Sequence, residues 1–249
     1  MPIESYPLDN FRRWFETFTN RFFGDDACIN AHLRLKQEHT RRTCAEILAL
    51  AEHLALDDRQ KNVAEVVALL HDVGRFPQFA EYRTFNDARS INHSQLGVEI
   101  LRREGILSVL RREERQWVET AVEHHGAKLL PAGLTGQALL FSQLIRDADK
   151  LDIYRTAIQL YRQYRADPTA EFWWKLELPD EPWVSAVVLE TAMNGQLIEH
   201  SMLQTLSDMM VCKLNWVYDM NFAISLARFR AQGSLEQLLA LLPATPEIE

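Results

Sequence analysis

The dipeptide His71-Asp72 ends the apolar run Val63 to Leu70 and sets an imidazole beside a carboxylate. Both are ligands for a hard or borderline divalent cation. One such pair is a weak signal, because His and Asp are common as surface residues or satisfied core residues. The other histidines change its weight. His39, His93 and the doublet His124-His125 are dispersed around the pair, and the acidic run Asp147, Asp149 and Asp152 follows. Imidazoles and carboxylates in that number are the donor set of a metal centre, and a cation held by them acts as a Lewis acid on water and on phosphoryl oxygens.

Residues so far apart in sequence meet only if regular elements carry them. Nine glycines and nine prolines gather between long stretches of helical spacing rather than recurring at hairpin intervals, so the fold is expected to be almost wholly α-helical. Helices are predicted near residues 8–22, 36–55, 60–72, 93–104, 107–125, 138–165, 181–193, 200–219 and 222–240. His39 and His71 lie 32 residues apart, enough for one helix to end and a second, antiparallel one to return beside it. The string AEVVALLHDVGR reads as a helix that closes at Gly74. Adjacent residues on a helix point about 100° apart, so of His124 and His125 one is expected to coordinate and the other to face substrate. Asp147 and Asp149 project from nearly opposite sides of their helix, and the apolar stripe Phe141, Leu144, Ala148, Leu151 does not choose between them. The span from Phe76 to Asn92 is long for a connection between packed helices and reads as a pocket wall, with Gly126 to Gly136 as a second rim.

The chain has 249 residues, 47% of them hydrophobic, which suits one large domain or a domain with an appendage. A net charge of -8 argues against broad binding to a nucleic acid polymer, which needs an extended basic surface. Arg102, Arg103, Arg111, Arg112 and Arg115 alternate with Glu104, Glu113 and Glu114 and read as a solvated helix face. No apolar run reaches the roughly 18 residues of a membrane span, and the N-terminus shows no signal segment, so no membrane partner and a cytoplasmic location are expected. Cys28, Cys44 and Cys212 are odd in number and unpaired in spacing, as in reduced core thiols. Past residue 165 the composition turns aromatic, with Phe172, Trp173, Trp174, Trp183 and Trp216. Core packing is the simplest use of these rings, and a base-stacking wall or a homodimer interface is also compatible with them.

The strings EHTRR, LLHDVGRF, NHSQLG, VEHHG and DADKLD carry a resemblance, across roughly residues 36–160, to the HD-domain metal-dependent phosphohydrolases, and best to their two-metal members. The resemblance implies a helical HD domain over residues 1–165 with an N-terminal helix, and residues 166–249 as a helical extension packed on it. It aligns the second Asp of DADKLD with the family ligand, so that His39, His71, Asp72 and Asp149 hold the first metal. Asp72 then bridges to a second, supplied with His93, His124 and His125, leaving Asp147 and Asp152 to orient neighbours. The implied activity is hydrolysis, through a metal-bound hydroxide, of a phosphate ester or anhydride in a nucleotide or small phosphorylated metabolite. The implied cofactor is one or two ions of Mn, Fe, Co, Ni, Mg or Zn. Asp72, Arg75 and Lys150 are the candidate catalytic residues. Arg75 and Lys150, and after them Arg42 and Arg89, are the candidate contacts for substrate phosphate. Arg75 stands where many HD phosphodiesterases carry Lys. The segment after His125, GAKLLPAGL, lacks the Gly-Tyr-Pro signature of the cyclic-dinucleotide enzymes. Two other classes share the ligand set: HD-fold di-iron oxygenases acting on small polar substrates, and regulatory modules that keep the fold without turnover.

Overall fold

Polar caps and apolar stripes divide the chain into helices. The computed structural model describes residues 7–167 and 178–244. Its first helix, α1 (Leu8–Asn20), buries Phe11, Phe15 and Phe18, a spacing that lines one helical face. α2 (Ala27–His53) starts well before the predicted 36, because the Asp26 carboxylate caps it by accepting from the Ile29 N–H. α3 (Asp58–Leu70) begins at a capping box. Asp57 accepts from the Gln60 backbone, and the Gln60 side chain accepts from the Asp57 backbone. Every residue from Val63 to Leu70 is buried, and α3 packs against α1, α2 and α6.

Two differences from the expected elements bear on the site. The helix that was to close at Gly74 ends at Leu70, and residues 71–74 form a turn into a further helix, α4 (Arg75–Tyr82), inside the span predicted to be a long loop. Gly74 has φ -66, so no left-handed turn requires it. What requires it is space, since an added Cβ would stand 2.1 Å from the carbonyl oxygen of His93 and 2.9 Å from the amide nitrogen of Gly97. A short 3-10 turn, Asp87–Arg89, follows, and Asn92 caps α5 (His93–Glu104) through the Gln95 N–H. α6 (Arg112–His124) packs on α5, and α7 (Gly136–Ala166) runs for 31 residues.

The chain divides into two compact units, residues 1–149 and 150–249, at a boundary inside α7. In the second unit α8 (Ala186–Met193), α9 (Leu206–Asn215) and the segment between them supply a core of Val188, Ile198, Leu203, Val211 and Cys212, and α10 (Ala223–Ala231) and α11 (Ser234–Leu239) follow. The helix predicted over 222–240 is broken at Gly233, which takes φ 65. Trp216 is half-buried, with the Lys213 ammonium 3.6 Å from its ring centroid, whereas Trp183 is exposed. Phe172, Trp173 and Trp174 lie outside the described residues. Cys28 is exposed and so fills no core, Cys44 is half-buried, Cys212 is buried, and all three are free. No strand occurs among the described residues: the fold is all-α, with a distinct C-terminal helical region. No helix among them is long and apolar enough to cross a membrane.

Candidate metal centre

The first unit delivers six of the seven predicted ligands to one place. His39 comes from the middle of α2, His71 and Asp72 from the turn after α3, His93 from the first position of α5, His125 from the residue after α6, and Asp149 from α7. Three overlapping groups result, each with its donor atoms within 4.8 Å of one another: His39, His71 and Asp72; His71, His125 and Asp149; Asp72, His93 and His125. The Gly74 contact sets this up, because it lets the His71–Asp72 turn touch the backbone that carries His93.

Asp72 lies between two sets of imidazoles. Its Oδ2 stands 3.6 Å from both His39 Nε2 and His71 Nε2, and its Oδ1 stands 3.5 Å from both His93 Nε2 and His125 Nε2. Asp149 Oδ1 adds distances of 3.0 Å to His39 Nε2 and 3.8 Å to His71 Nε2. Ligand atoms that share one cation at about 2.0–2.2 Å stand about 3.0–3.5 Å from each other, so the spacings of 3.0 and 3.5 Å suit ligand edges and those of 3.6 and 3.8 Å lie just beyond them.

The tautomers point the same way. His71 Nδ1 lies 2.7 Å from the Ala68 carbonyl and His125 Nδ1 lies 2.8 Å from the Val122 carbonyl. A carbonyl only accepts, so both protons sit on Nδ1 and each Nε2 presents a lone pair. His93 Nδ1 donates to Asp87 Oδ2 at 2.6 Å, which turns its Nε2 lone pair toward His125 Nε2 at 3.0 Å. Two lone pairs that close repel unless a proton or a cation lies between them. A proton is disfavoured at neutral pH, because burial, with the Arg75 charge adding to it, pushes His93 down to about 3. Burial likewise pushes His71 down to about 4, and its Nε2 is buried without a hydrogen-bond partner. The partnerless Nε2 of His71 and the facing Nε2 atoms of His93 and His125, set beside the Asp72 carboxylate, fit a divalent cation.

The acids stay charged. Burial alone would raise the Asp72 carboxyl, but the Lys36 ammonium, His71, His125 and Arg75 together hold it well below the usual carboxylate range. Burial acts on Asp149 in the same direction and is outweighed by the nearness of His39, at 3.0 Å, and of His71. Asp87, against burial, is held down to about 2 by His93, Arg75 and Gln78.

Three residues that support the centre were not foreseen. Asp87 orients His93, and Arg75 and the Gln78 amide hold Asp87 in turn, both at 2.8 Å. Lys36, one turn before His39 on α2, places its Nζ 2.7 Å from Asp72 Oδ2. Arg146, nearly buried, donates from one guanidinium nitrogen to the His124, His125 and Ala127 carbonyls and from another to Lys128 O, tying the end of α6 to α7. The one signal open to sequence reading was spacing, since Lys36 and His39 share a helix face.

The remaining predicted residues stand elsewhere. His124 is half-buried and belongs to none of the three groups, because the helical rotation that turns His125 inward turns it away. Asp147 is fully buried outside the groups, and Asp152, in the second unit, accepts from Thr156. Arg75 lies at the start of α4, its Nε 3.5 Å from Asp72 Oδ1 and its Nη1 shared among Gln78, Phe85 O and Asp87. Lys150 pairs with Asp219 at 2.8 Å. Arg42 approaches Glu38 at 3.9 Å, and Arg89 is exposed on the 3-10 turn. Arg102, from the charged helix face, pairs with Glu119 at the surface.

Residues 37–154 match the HD domain family. That match makes this part of the chain similar to HD domains, and together with the buried His/Asp cluster it supports a metal-dependent hydrolytic function in general terms. No curated protein and no solved structure gives a significant match to the chain.

Proposed function

We propose that the protein is a phosphohydrolase that uses two divalent cations to cleave a phosphate ester or anhydride of a nucleotide or small phosphorylated metabolite. The observation that carries this reading is the placement of Asp72, with one carboxylate oxygen toward His39 and His71 and the other toward His93 and His125. His39, His71, Asp72 and Asp149 would hold one cation, and Asp72, His93 and His125 the other. Such a pair supplies an activated water and stabilises both the attacking and the leaving oxygens of a phosphoryl transfer.

The protein's own groups prepare the site. Asp87 fixes the His93 tautomer, the Ala68 and Val122 carbonyls fix those of His71 and His125, and Arg75 keeps Asp72 ionised from the Oδ1 side. Imidazole-rich donors favour Mn, Fe, Co, Ni or Zn over Mg, which prefers oxygen. The same preference for nitrogen-binding metals makes iron the cation to watch, because with iron the alternative is oxygenase chemistry.

The test is elemental analysis of protein isolated without chelators, followed by a nucleotide and phosphoester panel with each metal. Metal-dependent phosphate release that His71→Ala and Asp72→Ala abolish is the expected result. Bound iron with oxygen consumption and no phosphate release from any compound overturns the reading.

A further inference from the structure

A hydrolytic site of this kind needs a cation of the protein's own to hold the substrate's phosphoryl oxygens, and two of the predicted candidates are engaged. The Arg75 Nη1 is divided among the Gln78 side chain, the Phe85 carbonyl and Asp87, and Arg75 Nε is a buried nitrogen 3.5 Å from Asp72. The Lys150 ammonium is nearly buried and paired with Asp219.

Lys36 is placed differently. Its Nζ meets Asp72 Oδ2 at 2.7 Å, the same oxygen that His39 and His71 approach at 3.6 Å, so the ammonium sits at the edge of the first ligand set. An ammonium has three N–H donors, and one carboxylate oxygen takes one of them. The side chain keeps 17% of its surface exposed, against 4% for Asp72 and 0% for His71, so it lies where the buried cluster meets solvent. Beside it is Phe85, half-buried, with Lys36 Nζ 5.4 Å from its ring centroid and the Arg75 guanidinium carbon 6.0 Å from it. A cation at the rim of the cluster, next to an apolar ring, matches the two parts of a phosphoester: an anionic head and an organic body.

Building on the phosphohydrolase reading, we propose that Lys36 is the substrate's phosphoryl contact, donating to a non-bridging oxygen while it stays in contact with Asp72, and that Phe85 forms the wall against which the ester's organic group packs. Lys36 carries no proton to or from the reaction. It is a point charge that orients the phosphoryl group beside the first ligand set, on the α2 face that also carries His39.

The experiment titrates inorganic phosphate into the manganese-loaded protein, with binding followed by calorimetry and by the manganese electron paramagnetic resonance signal, and with metal content measured for each variant. Lys36→Met is expected to bind phosphate about tenfold to a hundredfold more weakly at unchanged manganese content, as for loss of a hydrogen bond to a charged group. Lys36→Arg is expected to restore most of that affinity. Phe85→Ala is expected to leave phosphate binding near the wild-type value and to raise KM for an aromatic phosphomonoester more than it lowers kcat. Equal phosphate affinity in wild type and Lys36→Met overturns the assignment, and so does loss of manganese from Lys36→Met, which would make Lys36 a support for Asp72 alone. If the wild-type protein holds manganese yet neither binds phosphate nor releases it from any ester, the phosphohydrolase reading itself fails.

Discussion

Gly74→Ala tests whether a single backbone contact holds the two halves of the ligand cluster together. The added Cβ would begin 2.1 Å from the His93 carbonyl oxygen, where real Cβ atoms do not come under 3.0 Å, and 2.9 Å from the Gly97 nitrogen. Both neighbours are backbone, so no side-chain rotation relieves the clash. The turn carrying His71 and Asp72 has to withdraw from α5 by about 1 Å, and overpacking of this kind costs about 1–3 kcal/mol. For a protein of this size that lowers the melting temperature by about 2–4 °C per kcal/mol. The chemical consequence is larger than the thermal one, because metal ligands tolerate only about 0.2 Å of error. Oδ1 of Asp72, now 3.5 Å from His93 and His125, would lose that spacing, whereas Oδ2 keeps its place relative to His71 on the same turn. The variant is therefore expected to retain less metal per chain after dialysis. Elemental analysis and a thermal melt read both effects, and Gly24→Ala, where nothing lies within 4 Å of the added carbon, is the control. Wild-type metal content in Gly74→Ala with an unchanged melting temperature would refute the claim that this contact sets the geometry.

Asp87→Asn removes the charge that orients His93 and is expected to weaken metal binding about 10–100-fold, measured by competition with a chromogenic chelator; an unchanged affinity rules out that orienting role. Arg146→Met strands carbonyls that the guanidinium now satisfies and is expected to cost about 3 kcal/mol, with amide exchange rising first at residues 124–128; uniform exchange across the first unit would contradict the local clamp. Stripping the metal is expected to lower the melting temperature, since a ligand at 1,000 times its Kd stabilises by about 4 kcal/mol, and readdition of the same metal restores it. In the stripped protein native His71 titrates at about 4 against an ordinary value near 6.5, so between those values the unfolded chain binds a proton that the native chain does not. Stability is then full above pH 6.5 and falls as pH drops toward 4, by about 3 kcal/mol from this residue, and urea midpoints that stay level across the window contradict it.

Where side-chain period and caps acted together, the sequence was legible. α5 runs from His93 to Glu104 as read, since Asn92 caps it and Gly105 ends it with φ 64. The ligand types were legible because few other arrangements place so many imidazoles near a repeated Asp. Less legible was α4, whose string RFPQFAEY has a proline near its start that looks like a break but stands in the first turn, where its missing N–H costs nothing. Gly74 does not close the helix, which ends at Leu70, and only the tertiary fold reveals that backbone proximity demands a glycine there. His124 and His125 are equivalent as letters, and which one turns inward depends on the rotation of α6 against α5. Asp87 sits in irregular chain, where no period predicts direction, and its link to His93 could be seen only in three dimensions.

The carboxylate of Asp72 is symmetric, and the cluster uses that symmetry. A half-turn about the Cβ–Cγ bond exchanges Oδ1 and Oδ2 and leaves the cluster unchanged, with one anionic oxygen still facing each pair of imidazoles. An asparagine at this position has the same shape but two unlike ends, a carbonyl and an amide NH2. Whichever way it settled, one pair of histidine lone pairs would face an acceptor and the other a donor, so a change of one atom would force the molecule to be handed where it is now even-sided.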